Sequence, residues 1–207
     1  MEDKDKHTKY ITIIALLLGV VGLSFGFAAY TRAINISANV DITPETSEYN
    51  GGVLSTQKGK VATGMVSATT TSGASAEDAI LTKDTISNLS AHFTKPGQSA
   101  KYSFYGFNDN EIETYLNSVV FGSKTCKAFD GETTEKVLKA CDSINMTIKI
   151  GNQTFKSTDV EIKNHKLDIQ DSENITVVIE YDSKGIIADK KFKVSFGTSV
   201  LTYSTLD

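Results

Sequence analysis

Lys95–Phe121, KPGQSAKYSFYGFNDNEIETYLNSVVF, decides how the chain reads. It begins with a Lys-Pro-Gly turn, where Pro96 fixes φ and Gly97 admits positive φ. An alternating strand follows, with Tyr102 and Phe104 on one face, the period of a half-buried strand. The alternation breaks at Asn108-Asp109-Asn110 and resumes through Ile112, Tyr115 and Leu116 toward Val119 and Phe121. This is the text of the middle of a β-sandwich, and nothing in it is catalytic.

Downstream the strand signal is clearest. Ile144, Met146, Ile148 and Ile150 alternate with polar residues up to Gly151-Asn152, a two-residue hairpin signal. Val160–Ile162, Leu167–Ile169 and Ile175-Val177-Ile179-Tyr181 read as further strands, then Phe192-Val194-Phe196 and Val200–Tyr203. Asp182-Ser183-Lys184-Gly185 is a turn between two of them. Short strands separated by turn chemistry predict an all-β jelly-roll or Ig-like β-sandwich. Residues 123–142 break the pattern and read as a short helical insertion. Asp130 is the expected cap, Glu132–Lys136 and Glu135–Lys139 the i,i+4 pairs, and Val137, Leu138 and Cys141 the inward face. Cys126 and Cys141 flank this segment in a chain that reads as exported, so they are expected to form a disulfide.

Upstream, Ala79–Phe93 carries Ile80, Ile86, Leu89 and Phe93 into the Lys-Pro-Gly turn. Val53–Thr70 reads as one or two weaker strands around Lys58-Gly59-Lys60, and Thr69–Ser75 as an exposed loop. Ala33–Thr43 alternates with Ile34, Ile36, Ala38, Val40 and Ile42 on one face. An isolated amphipathic strand is not stable, so these residues need a sheet, their own or a neighbour's. Tyr10–Tyr30 holds no charge over 21 residues, roughly 30 Å of helix and enough to cross a hydrocarbon core. It reads as an uncleaved anchor or a cleaved signal, with Ala28 and Ala33 as candidate cleavage positions. Lys4, Lys6 and Lys9 precede the span and Arg32 alone follows it closely, which orients the N-terminus to the cytoplasm. The expected organisation is a tail at 1–9, the span at 10–30 and an extracytoplasmic domain at 33–207.

The 207 residues, 40% hydrophobic, suffice for one sizeable core. A net charge of −4 and a pI near 5.4 argue against a nucleic-acid partner, which would want a basic face. His7, His92 and His165 show no His-Glu-x-x-His spacing; His7 falls on the tail, and the other two read as ordinary surface residues. Asn108–Glu111 lacks the spacing of a calcium loop and reads as a strand-breaking turn. No catalytic residue, metal ligand or cofactor site is expected.

The order of tail, apolar span, immediate strand INISANV, and then KPGQSAKYSF…FNDNEIETYLNSVVF resembles the TasA/camelysin-type bacterial surface proteins. Many members of that family are processed by a dedicated signal peptidase. The resemblance implies a jelly-roll domain at the cell surface, with some members assembling into extracellular biofilm fibres. In fibre-forming members the strand at the mature N-terminus completes a neighbour's sheet, and Ala33–Thr43 stands in the matching place. The expectation is a non-enzymatic structural protein, membrane-tethered or secreted, whose partners are the membrane and further copies or other surface proteins. The alternatives are a monomeric binding or adhesion module displaying loops such as Thr69–Ser75, and a camelysin-like metallopeptidase.

Overall fold

Three antiparallel sheets and one helix make up the described part of the chain, residues 52–156, 158, 162 and 165–205 of a computed structural model. The 10–30 span, the strand bearing Ile34, Ile36, Val40 and Ile42, and the positions Ala28 and Ala33 lie outside the described residues. Among the described residues no helix is long and apolar enough to cross a membrane.

The first sheet is ordered β1 (Val53–Ser55), β8 (Ser99–Phe107), β14 (Ser172–Tyr181), β11 (Ile144–Ile150) and β12 (Gln153–Phe155), with β3 (Thr69–Thr70) also beside β8. Its centre is the pairing of β8 with β14, which runs without interruption from Ser99 opposite Glu180 to Phe107 opposite Ser172. The alternation in the sequence explains this placement. Tyr102 and Phe104 from β8, and Ile175, Val177, Ile179 and Tyr181 from β14, all point inward and are fully buried. Each such aliphatic side chain contributes about 1.5–3 kcal/mol. β11 and β12 form the expected hairpin, with Ile150 opposite Gln153 and only Gly151-Asn152 between them. Gly151 has φ +52°, the left-handed conformation that the tight connection requires.

The second sheet runs β10 (Lys124–Ala128), β15 (Phe192–Phe196), β7 (Leu89–Phe93) and β4 (Ser75–Ala76). The third runs β13 (Lys166–Leu167), β9 (Thr114–Val120), β16 (Ser199–Ser204), β6 (Thr85–Ser87), β5 (Ala79–Leu81) and β2 (Gly64–Val66). Both back onto the first sheet, in a sandwich-like arrangement. Phe93, Tyr181 and Phe192 meet between the first and second sheets, with ring centroids 5.5 to 6.4 Å apart. These are the tilted and edge-on contacts that aromatic quadrupoles favour. Tyr203 of β16 reaches across to β14 from the third sheet.

The 123–142 segment departs from the expected insertion. Its first part, β10, is the edge strand of the second sheet and pairs along its whole length with β15. Its second part is α1 (Glu135–Asp142), capped by Thr134 and not by Asp130. Thr134 Oγ1 accepts from the Val137 amide at 3.2 Å, whereas Asp130 precedes Gly131, whose φ of +73° belongs to a turn. Val137 and Ala140 are buried, while Leu138, expected inside, is 52% exposed. Glu135 pairs with Lys139 at 2.7 Å. Among the described residues Glu132 and Lys136 form no ion pair.

Thr69–Ser75 also differs from expectation. β3 at its start pairs with β8, and β4 at its end pairs with β7, so the segment ties the first sheet to the second. The buried Gln98 amide donates to the Ser72 carbonyl at 3.0 Å and holds the turn between them. Asn108 is buried, and its amide donates to the Ile112 and Asp168 carbonyls at 2.8 and 3.1 Å. The break in the alternation is thus a turn built around one side chain.

Candidate interaction surface

Cys126 and Cys141 are joined by a disulfide. Cys126 stands opposite Val194, and so on the inner side of β10, while Cys141 lies in the last turn of α1. The bond fastens the helix to the edge strand. Lys124 Nζ, from the same strand, donates to the carbonyls of Cys141 and Ile144 at 2.8 and 2.9 Å. A cation thereby reaches one carbonyl of the last helical turn, Cys141, and the first of β11, Ile144.

His92 and His165 are not the surface residues expected, for their side chains are only 12% and 11% exposed. His165 Nε2 lies 2.6 Å from Glu173 Oε2, and the Tyr203 hydroxyl donates to Glu173 Oε1 at 2.7 Å. Glu173 faces inward because it shares the face of Ile175 and Val177. It stands opposite Gly106, which offers no side chain to oppose it. Burial, followed by the nearby Glu173 carboxylate, holds the Tyr203 phenol well above its ordinary pKa. The carboxylate is therefore a brace with a donor on each oxygen, joining β14 to β16 and to the residue before β13. Sequence reading missed it because its members are 8 and 30 residues apart.

His92 belongs to a second cluster. Its Nε2 lies 3.7 Å from Glu77 Oε1, and its ring meets the edge of Phe129 at 5.1 Å. Lys191 Nζ sits 4.7 Å from the Phe129 ring centroid, a cation–π contact. Burial lowers the His92 pKa, and Lys193 and Lys191 lower it further. Glu77 is itself held below its usual range, first by a hydrogen bond from Lys193. Tyr102 lies beneath this cluster, its hydroxyl 2.8 Å from the main-chain oxygens of both Ser90 and Glu77, and burial pushes its pKa up to about 12. Among the described residues no group of three or more His, Cys, Asp and Glu side chains is placed to hold a metal ion. Of the described histidines, His92 faces only Glu77 and His165 only Glu173.

At one end of the third sheet lies the outer strand β2. Residues 61–76, VATGMVSATTTSGASA, hold no charge. They supply β2 to the third sheet, β3 to the first and β4 to the second. β2 is the last strand of its sheet, paired only with β5 among the described residues. Met65 and Ile80 stand directly opposite one another, 68% and 46% exposed, with Val61 at 51% nearby in the chain. Edge strands usually carry a lysine, a proline or a bulge, because their unpaired amides and carbonyls template pairing with another strand. β2 has none of these devices. Its one protection is its length of three residues. In the sequence this region reads only as weaker strands, since lack of charge over a short run is a faint signal of an edge.

Compared with models of known protein families, with curated proteins and with solved structures, the chain has no match.

Proposed function

We infer that the protein is a non-enzymatic structural component of the cell surface. In this reading a jelly-roll domain is held at the membrane by the 10–30 span, or released after cleavage, and self-associates by strand addition at β2. The added strand is Ala33–Thr43, whose Ile34, Ile36, Val40 and Ile42 need a sheet to cover them. Backbone hydrogen bonds would supply affinity, and the alternating side chains would supply register. The observation that carries the reading is the uncharged β2 edge with Met65 and Ile80 exposed beside it. Eight residues lie between Thr43 and Gly52, so nine Cα steps span about 30 Å when extended, a length that would let the strand reach a neighbouring domain.

A monomeric module displaying Thr69–Ser75 has less support, because both ends of that segment are bound into sheets and its turn is held by Gln98. A metallopeptidase has less support again, since among the described residues neither buried histidine has a second histidine beside its carboxylate partner. Electron microscopy of the purified chain tests the reading against two variants. Filaments from the wild type, and none from Met65→Lys or from a chain lacking 33–43, are expected. A wild type that stays monodisperse at high concentration, or filaments that persist in both variants, would overturn it. Chelator-sensitive casein cleavage would revive the peptidase.

A further inference from the structure

The outer face of the first sheet carries a second feature, unconnected with the β2 edge. Where β12 ends beside β11, the surface opens into a concavity of about 510 Å³ lined by Thr147 and Lys149 of β11, Thr154 of β12, Lys156 just after it, and Val178 and Glu180 of β14. Its volume lies within the roughly 300–1,000 Å³ of small-ligand sites. The placement follows from the strand period. Thr147 and Lys149 alternate with the buried Met146 and Ile148, and Val178 and Glu180 with the buried Val177 and Ile179. The registers Thr147 opposite Val178 and Lys149 opposite both Thr176 and Thr154 bring these residues together on one surface.

The charges are uncompensated. Among the described residues Lys149, Lys156 and Glu180 form no ion pair, although Lys139, Lys166 and Lys193 elsewhere each hold a carboxylate. Two ammonium groups line the concavity against one carboxylate, and the exposed Lys101, opposite Val178 on the same face of the sheet, adds a third positive charge beside it. Around them stand the hydroxyls of Thr147 and Thr154, able to donate and accept. The half-buried Val178 supplies a small apolar floor.

We propose that this concavity binds a carboxylate-bearing sugar residue of an acidic polysaccharide. The lysines meet the sugar carboxylate, Glu180 and the threonine hydroxyls meet its ring hydroxyls, and Val178 meets the apolar C–H face of the ring. The apolar Val178 floor, which a sugar ring can cover and a bare phosphate cannot, favours this ligand over a phosphate. The site does not involve Met65, Ile80 or Ala33–Thr43, so it stands or falls separately from self-association.

The test uses the full chain in non-ionic detergent, titrated calorimetrically with trigalacturonate, its methyl ester, neutral galactotriose and inorganic phosphate. Saturable binding of trigalacturonate is expected, weakened about tenfold or more by added salt or by the double substitution Lys149→Ala with Lys156→Ala. The ester and the neutral sugar should bind at least about tenfold more weakly, and the melting temperature of the variant should match the wild type. Absence of saturable trigalacturonate binding, equal binding of the methyl ester, or unchanged affinity in the double variant would each overturn the proposal. So would phosphate binding as tight as trigalacturonate, which would mark a simple anion site.

Discussion

The Tyr203 hydroxyl lies 2.8 Å from where a Cβ on Gly106 would stand. That is closer than a side-chain carbon tolerates, and Ile175 Cδ1 at 3.3 Å closes the other side. Gly106 is thus the gap through which the third sheet reaches Glu173 of the first. Gly106→Ala must push back a phenol that is buried and hydrogen-bonded. A loss of about 1–3 kcal/mol is expected, the usual cost of overfilling a core. Urea denaturation measures it, and a variant as stable as the wild type would contradict the packing described.

Removing the Tyr203 hydroxyl should also be costly, for a different reason. Tyr203→Phe keeps the ring but leaves Glu173 Oε1 without its donor. A buried acceptor left open costs about 1–3 kcal/mol, and more when it is charged. The double-mutant cycle Tyr203→Phe with Glu173→Gln should show coupling, because the two changes break one interaction. Strictly additive losses would mean that the brace contributes nothing as a pair.

At high pH the domain should weaken through its buried phenols. Tyr102 is pushed up to about 12 and Tyr203 also lies well above its ordinary value, both chiefly through burial. A raised folded-state pKa means that the fold favours the protonated phenol. Its contribution is intact below the unfolded value of about 10 and is lost as pH rises toward 12. The urea midpoint should therefore fall above about pH 10, and fall less steeply in Tyr102→Phe. A midpoint that climbs over that range would refute the assignment.

Mild acid acts through His92, in the opposite sense. Burial, then Lys193 and Lys191, depress its pKa, so the fold favours the neutral ring. The stability this confers is present above the unfolded value of about 6.5 and is lost as pH drops below it. His92→Gln should lose less stability than the wild type between about pH 7.5 and 5.5. Identical slopes would show that the ring is free to charge in place.

Reduction of Cys126–Cys141 should loosen α1 and β10 together. The bond closes a 15-residue separation, and a loop of that size corresponds to about 3 kcal/mol in the chain-entropy account. Non-reducing denaturation followed by thiol labelling should find no reactive thiol, and reduction should lower the urea midpoint. Two reactive thiols without reductant would count against the bridge.

The parts of the fold that could be read in the sequence are those where one face is apolar over many residues. β8, β11, β14 and β15 alternate cleanly because each has one face against the other layer, and Gly151-Asn152 marks its hairpin by turn chemistry alone. β10 could not be read so. As an edge strand reading KTCKA, it offers only the cysteine and an alanine inward, and its polar residues look like loop. The helix start was misplaced because Asp130-Gly131 and Thr134 are both credible caps by residue type, and only the turn at Gly131 separates them. The Glu173 brace and the Lys149–Lys156–Glu180 concavity arise from register between strands, which no local pattern encodes.

The central pairing of β8 with β14 sets the order in which this chain can acquire structure. Its partners lie 65 to 81 residues apart, so closing it costs loop entropy long before any contact offsets the loss. Until then β8 has only β1 and β3 beside it, fragments of three and two residues that cannot hold a sheet. The part of the core that rests on this pairing is therefore expected to close only once β14 is available to β8.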